Sequence, residues 1–373
     1  MPSETSPRSQ GHLLATLLSG SWRPEPPPLQ LPREDLERAA SLAITSGVAG
    51  LVSWRMQRSS LSGAEQVVRL LKRAYLRQTM ASLRHQDGIR HIFEHLRSAG
   101  VEPLLVKGWA NARLYPDAGL RPYTDYDVYV SHDDYHAALA QLPALHTELS
   151  VDLHEGVPHR YSMATEGVLA RSRLVPLGDA QIRVPAAEDA LRITSLHLMT
   201  PHHAGWRPLW LCDVAALLES LPARFDWDLC LGRDRRLADW LIGTIGLAHV
   251  LLGARIDHLP VREQASRIPR WLAPALLRQW DLAPAHHQGP PFATHLGRRP
   301  GEVLRALRQR WPNPLDATLA VRAPFNDAPR APFQLGCVAF RSARLTYRLA
   351  RAALVGRRGR GETLAVTPRV SRW

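Results

Sequence analysis

One block of the chain restricts the fold more than any other. Leu104-Leu105-Val106 runs into Lys107-Gly108, and Leu114-Tyr115-Pro116-Asp117 and Gly119-Leu120-Arg121-Pro122 follow. Thr124 then opens the alternation Asp125-Tyr126-Asp127-Val128-Tyr129-Val130. Successive side chains of an extended strand face opposite ways. Tyr126, Val128 and Val130 are therefore predicted to enter a core, while Asp125 and Asp127 share the other face. Two carboxylates a few ångströms apart repel unless positive charge sits between them. A divalent cation meets that need, and magnesium favours carboxylate oxygen.

A third acid is offered by the next candidate strand, Leu149-Ser150-Val151-Asp152-Leu153-His154, where Asp152 and His154 alternate against Val151 and Leu153. The helix predicted between the two strands, about Asp133 to Leu142, is a crossover that permits a parallel or mixed sheet. A hairpin is predicted from Ala170–Pro176 and Ala180–Val184, turning at Gly178-Asp179. Around this block the pattern is helical. Residues 1–30 end in Pro24, Pro26, Pro27 and Pro28 and read as an irregular arm, with Leu13 to Leu18 as a short helix. Residues 64–99 read as two helices closed by Gly100, and Trp109–Tyr115 reads as a short helix. Helices dominate from Ala187 to Gly253. The fold class is therefore α+β: a small mixed β-sheet flanked by N-terminal and C-terminal helical regions.

The succession Lys-Gly, Leu-Tyr-Pro, Arg-Pro, Asp-x-Asp and a later Asp-x-His resembles the uncharacterised nucleotidyltransferase-like family of the DNA polymerase beta superfamily. The likeness covers roughly residues 85–260. It includes Val184-Pro185 with Glu188-Asp189, His197, Trp206 and the run Leu209-Trp210-Leu211-Cys212-Asp213-Val214. One departure is Gly108-Trp109, where superfamily enzymes usually carry Gly-Ser or Gly-Gly. The resemblance implies a minimal nucleotidyltransferase palm with magnesium-dependent NTP chemistry. Asp125, Asp127 and Asp152 would be catalytic and bind two magnesium ions. Lys107 and Gly108 would approach the triphosphate. Arg121 either neutralises phosphate charge or orients Asp125 or Asp117, and His154 either orients a carboxylate, binds phosphate or is structural. The domains then read as an N-terminal arm and helices over 1–84, the palm over 85–185, a helical cover over 186–260 and a basic helical extension over 261–373.

Composition singles out one of these residues. Of 47 basic residues only Lys72 and Lys107 are lysines, so a lysine beside a glycine at a strand end stands out where a compact point charge is needed against phosphate. The net charge of +13 is concentrated: residues 297–373 hold 16 arginines against four acids, and the rest is nearly balanced. Arg341, Arg344, Arg348 and Arg351 fall on one helical face, with Val338, Leu345, Leu349 and Ala352 on another. Such a helix either docks by its apolar side or meets an anionic partner.

Three widely spaced cysteines, Cys212, Cys230 and Cys337, predict reduced buried thiols and a cytoplasmic protein, and no apolar run has membrane-spanning length. Zinc at His197, His202, His203 and Asp213 is disfavoured, because no ligand pair has metal spacing. No Gly-x-Ser-x-Gly elbow supports a serine hydrolase. The expected activity is nucleoside monophosphate transfer from an NTP, such as ATP, to a hydroxyl of an acceptor left open by the sequence. The alternatives are a catalytically silent binding scaffold and a phosphotransferase that uses the same metal site.

Overall fold

The computed structural model describes residues 9–59, 65–147, 150–198, 206–281 and 311–358. The chain divides into two compact units, residues 1–290 with 325–327, and residues 291–324 with 328–373. The first unit opens with four helices, α1 (Gln10–Leu18), α2 (Arg33–Thr45), α3 (Ala49–Met56) and α4 (Glu65–Ser98). Then come β1 (Leu104–Val106), α5 (Gly108–Ala112), β2 (Asp125–Val130), α6 (Tyr135–Gln141), β3 (Ser150–Glu155), α7 (Thr165–Arg171), β4 (Arg173–Leu177) and β5 (Ala180–Val184). Six helices follow: α8 (Ala187–His197), α9 (Pro208–Glu219), α10 (Trp227–Leu231), α11 (Arg235–Leu252), α12 (Arg262–Ser266) and α13 (Leu272–Asp281). In the second unit the described residues form α14 (Pro314–Ala320) and α15 (Ala331–Arg358).

This is the expected α+β fold with a small mixed sheet. β1 pairs antiparallel with β2, β2 pairs parallel with β3, and β4–β5 form a separate antiparallel hairpin. The alternation in β2 has its predicted consequence: Tyr126, Val128 and Val130 join Leu105, Ile89, Ile92 and Phe93 in one apolar cluster, with Val151 and Leu153 packed against it. Burying such side chains is worth about 1.5–3 kcal/mol each. The sheet's second face is left for polar groups, and the site described below lies there.

Several local expectations need correction. The two helices expected over 64–99 are one, α4, of 34 residues. It carries Gly88 without breaking, because the ring of Tyr126 lies against the helix backbone. A Cβ at Gly88 would stand 2.3 Å from the Tyr126 hydroxyl, which donates to the carbonyl of His85 at 3.0 Å. β4 begins at Arg173, not Ala170, since Ala170 and Arg171 close α7. α5 is shorter than the Trp109–Tyr115 expected, and the predicted α6 ends in a 3-10 turn at Leu142–Ala144. The proline-rich stretch 19–31 is irregular as expected, yet Trp22 and Leu29 within it are buried.

Cys212, Cys230 and Cys337 are free and buried. On α15 Cys337 is buried, whereas Leu335, Val338, Phe340 and Tyr347 are exposed, as are Arg341 and Arg344. The expected partners Leu345, Arg348, Leu349, Arg351 and Ala352 lie outside the described side chains. Among the described residues no helix is long and apolar enough to cross a membrane.

Candidate metal centre

The strand register builds the site. Asp127 on the central strand stands opposite Val106 on β1 and opposite Asp152 on β3. In-register residues of paired strands share a face, so Asp127 and Asp152 project together. His154, two residues beyond Asp152, joins them diagonally. Its Nε2 lies 3.1 Å from Asp152 Oδ2 and 3.5 Å from Asp127 Oδ1. Lys107 completes the group, with Nζ 2.8 Å from Asp127 Oδ1.

The local backbone delivers that lysine. β1 stops at Val106, and Lys107 takes φ 58°, ψ −142°, a region occupied almost only by glycine. Gly108 continues at φ 42°. This reversal turns the chain from strand into α5, and the Lys107 ammonium lies on Asp127. A non-glycine residue held there carries strain of order 1–3 kcal/mol, a feature that clusters at functional sites.

Charge in the group is tightly balanced. Burial disfavours the Asp127 carboxylate, but Lys107 and His154 outweigh it and hold the group well below the usual carboxylate range. Asp152 is also lowered, chiefly by His154. Burial opposes the charge on Lys107 and on His154, yet the carboxylates prevail and raise both. Asp125 moves the other way, raised by burial and then by Asp127. The result is one partly neutralised pair of carboxylates with an imidazole between them.

One ligand atom from each of Asp127, Asp152 and His154 lies within 4.8 Å of the other two. His154 Nε2 is buried and has no hydrogen bond of good alignment, although a carboxylate is near. Two carboxylate oxygens and an imidazole nitrogen pointing into one space fit a divalent cation. The gathered set differs from the expected one by His154 in place of Asp125. Asp125 pairs in register with Ser150, one pleat back along the strand, a backbone rise of about 6.6 Å, and still feels the charges of Asp127, Lys107 and Asp152.

Arg121 also departs from both sequence expectations. It binds neither Asp125 nor Asp117, and its fork is not open to a phosphate. Its Nη2 donates to Asp213 Oδ2 at 2.6 Å and its Nε to Oδ1 at 3.1 Å. Tyr115 donates to the same carboxylate at 2.8 Å, and all three groups are buried. Asp213 is thus a structural anion on α9, and His197 finds other neighbours. The His197 ring packs edge-on against Trp210, and its Nδ1 lies 3.4 Å from the Tyr161 hydroxyl. His202 and His203 lie outside the described residues.

Tyr129 was not anticipated as part of the site. It follows Asp125 and Asp127 on the same face of β2, and its ring meets His154 edge-on at 4.6 Å. Its buried hydroxyl has no hydrogen-bond partner among the described residues, and burial holds its pKa well above the usual tyrosine value. The signal was present in the alternation, where a tyrosine occupied a polar-face position.

A family model described as "Uncharacterised nucleotidyltransferase" matches residues 32–253, which include the sheet, the acidic group and α8 to α11. No curated protein and no solved structure matches the chain.

Proposed function

The chain belongs to the uncharacterised nucleotidyltransferase family, and from that membership we propose that it moves a nucleoside monophosphate from an NTP to an acceptor hydroxyl. The observation that carries the reading is the group of Asp127, Asp152 and His154 with Lys107 at its edge. In this reading residues 85–185 act as the palm, and Asp127, Asp152 and His154 would hold a divalent ion, with Asp125 a further carboxylate on the same strand face. Magnesium is the expected ion, and manganese shares its preference for carboxylate oxygen. When bound, such an ion lowers the pKa of an attacking hydroxyl and neutralises phosphate charge.

The chain's own residues contribute separately. Asp127 and Asp152 stay ionised at neutral pH because Lys107 and His154 hold them so. Lys107 keeps a compact positive charge at the strand end, where an incoming triphosphate would meet it. Because the Lys107 backbone is fixed by the turn into α5, that charge is in place before substrate arrives. Arg121, committed to Asp213, acts on the fold and not on phosphate.

The test is a thermal-shift panel of the four NTPs with and without magnesium. The reading expects stabilisation by at least one NTP only when the metal is present. Nucleotide shifts that are absent, or that do not depend on metal, would refute it. For the nucleotide that binds, release of pyrophosphate separates nucleotidyl transfer from a phosphotransferase, which would release a nucleoside diphosphate.

A further inference from the structure

A cavity of about 150 Å³ opens beside the acidic group, walled by the end of β1, by α5 and its following turn, by the β4–β5 hairpin, and by α8 and α9. Its lining holds three cations, Lys107, Arg113 and Arg173, and no acid. Lys107 is occupied by Asp127. The guanidinium groups of Arg113 and Arg173 have no hydrogen bond or ion pair among the described residues, whereas several other arginines of the first unit are matched by acids. Arg23 is matched by Glu219, Arg121 by Asp213, Arg171 by Asp189 and Arg183 by Glu102. Both free guanidinium groups reach solvent. Burial and the nearby charge of Arg173 each lower the pKa of Arg113.

The remaining walls are of a different kind. Leu114 and Leu221 supply apolar surface, and Asn111 Nδ2 donates to Thr194 Oγ1 at 3.2 Å within a buried, neutral pair. Two unmatched guanidinium groups over an acid-free, partly apolar cavity make a site for an oxyanion attached to an apolar body.

We propose that this cavity binds a small organic anion, its phosphate or carboxylate group held by Arg113 and Arg173 and its apolar part lying against Leu114 and Leu221. Lys107 lines the cavity and also contacts Asp127, so the ligand sits next to the acidic group. To call that ligand the acceptor rests on the transfer reading above; its binding does not.

The probes are phenyl phosphate, benzoate and neutral benzyl alcohol, titrated calorimetrically into the full chain with chelator present and no nucleotide. The proposal expects saturable binding of at least one anion and none of the alcohol. Affinity should fall roughly tenfold in Arg113→Gln and in Arg173→Gln, the loss of one charge-assisted contact. Arg113→Lys should bind at an intermediate level, because it keeps the charge and loses the fork. Thermal melts of each variant confirm that the fold persists. The phosphate and carboxylate arms identify which oxyanion the site prefers. Failure of both anions to bind wild type, or equal binding by the glutamine variants, would overturn the proposal. Since no metal or nucleotide is present, this failure is separate from failure of the transfer reading.

Discussion

Asp213→Ala should be among the most destabilising single substitutions in the first unit. The carboxylate accepts from the Nε and Nη2 of Arg121 and from the hydroxyl of Tyr115, and the side chains of Arg121 and Asp213 are only 6% and 1% exposed. Its removal leaves a buried guanidinium without its anion, which costs about 3–5 kcal/mol. The stranded Tyr115 hydroxyl adds about 1–3 kcal/mol. A total near 5 kcal/mol is a large share of the roughly 5–15 kcal/mol typical of a domain. At about 2–4 °C per kcal/mol for a domain of this size, the melting temperature should fall by about 10–20 °C. Urea denaturation and differential scanning calorimetry both read this. The triple variant Tyr115→Phe/Arg121→Met/Asp213→Leu removes every group at once and should recover to within about 2 kcal/mol of wild type, since apolar replacement of a buried pair is often neutral or better. An Asp213→Ala protein within about 1 kcal/mol of wild type would refute the reasoning, as would a triple variant no more stable than the single one.

Other outcomes follow from the same geometry. Lys107→Gly should be about 1 kcal/mol more stable than Lys107→Met, because both lose the ammonium but only glycine relaxes the positive φ; chemical denaturation of the pair checks this. Gly50→Ala should cost about 1–3 kcal/mol, since its Cβ would stand 2.3 Å from the Gly119 carbonyl oxygen and 2.8 Å from Gln78 Oε1, and equal melting temperatures would count against the packing described. Burial opposes ionisation of Glu219, but Arg23 and the Arg255 N–H outweigh it and lower its pKa from the ordinary 4.5. The folded value lies below the unfolded one, so this stabilisation is complete above about pH 4.5 and disappears as pH falls through the folded value. The melting-temperature gap between wild type and Glu219→Gln should therefore be wide at pH 7 and close under acid conditions.

The period of two in β2 was enough to separate a core face from a polar face, and Tyr126, Val128 and Val130 lie where that alternation puts them. The turn signals at Gly178-Asp179 were equally local, and the hairpin β4–β5 turns there. What the pattern lacks is register between strands. Nothing in the spacing of Asp125, Asp127, Asp152 and His154 says which of them stand opposite one another, so His154 in place of Asp125 emerges only once Asp127 pairs with Asp152. Arg121 illustrates a second limit: its partner Asp213 is 92 residues away, beyond the reach of any local rule. The continuity of α4 through Gly88 is a third. Glycine usually weakens a helix, and only the ring of Tyr126 gives this one a packing reason. Arg113 and Arg173 carry no motif, and they stand out only because their guanidinium groups lack partners among the described residues.

The central claim is that Asp127, Asp152 and His154 form a divalent-metal centre. Electron paramagnetic resonance of free Mn²⁺, titrated with the full chain, tests it most directly. The account expects the free-ion signal to fall with saturable binding to wild type, to be restored in Asp127→Asn, and to show affinity weaker by roughly tenfold or more in His154→Ala, since even outer-shell partners cost that much. Mn²⁺ binding that is absent in wild type, or equal in wild type and Asp127→Asn, would contradict it.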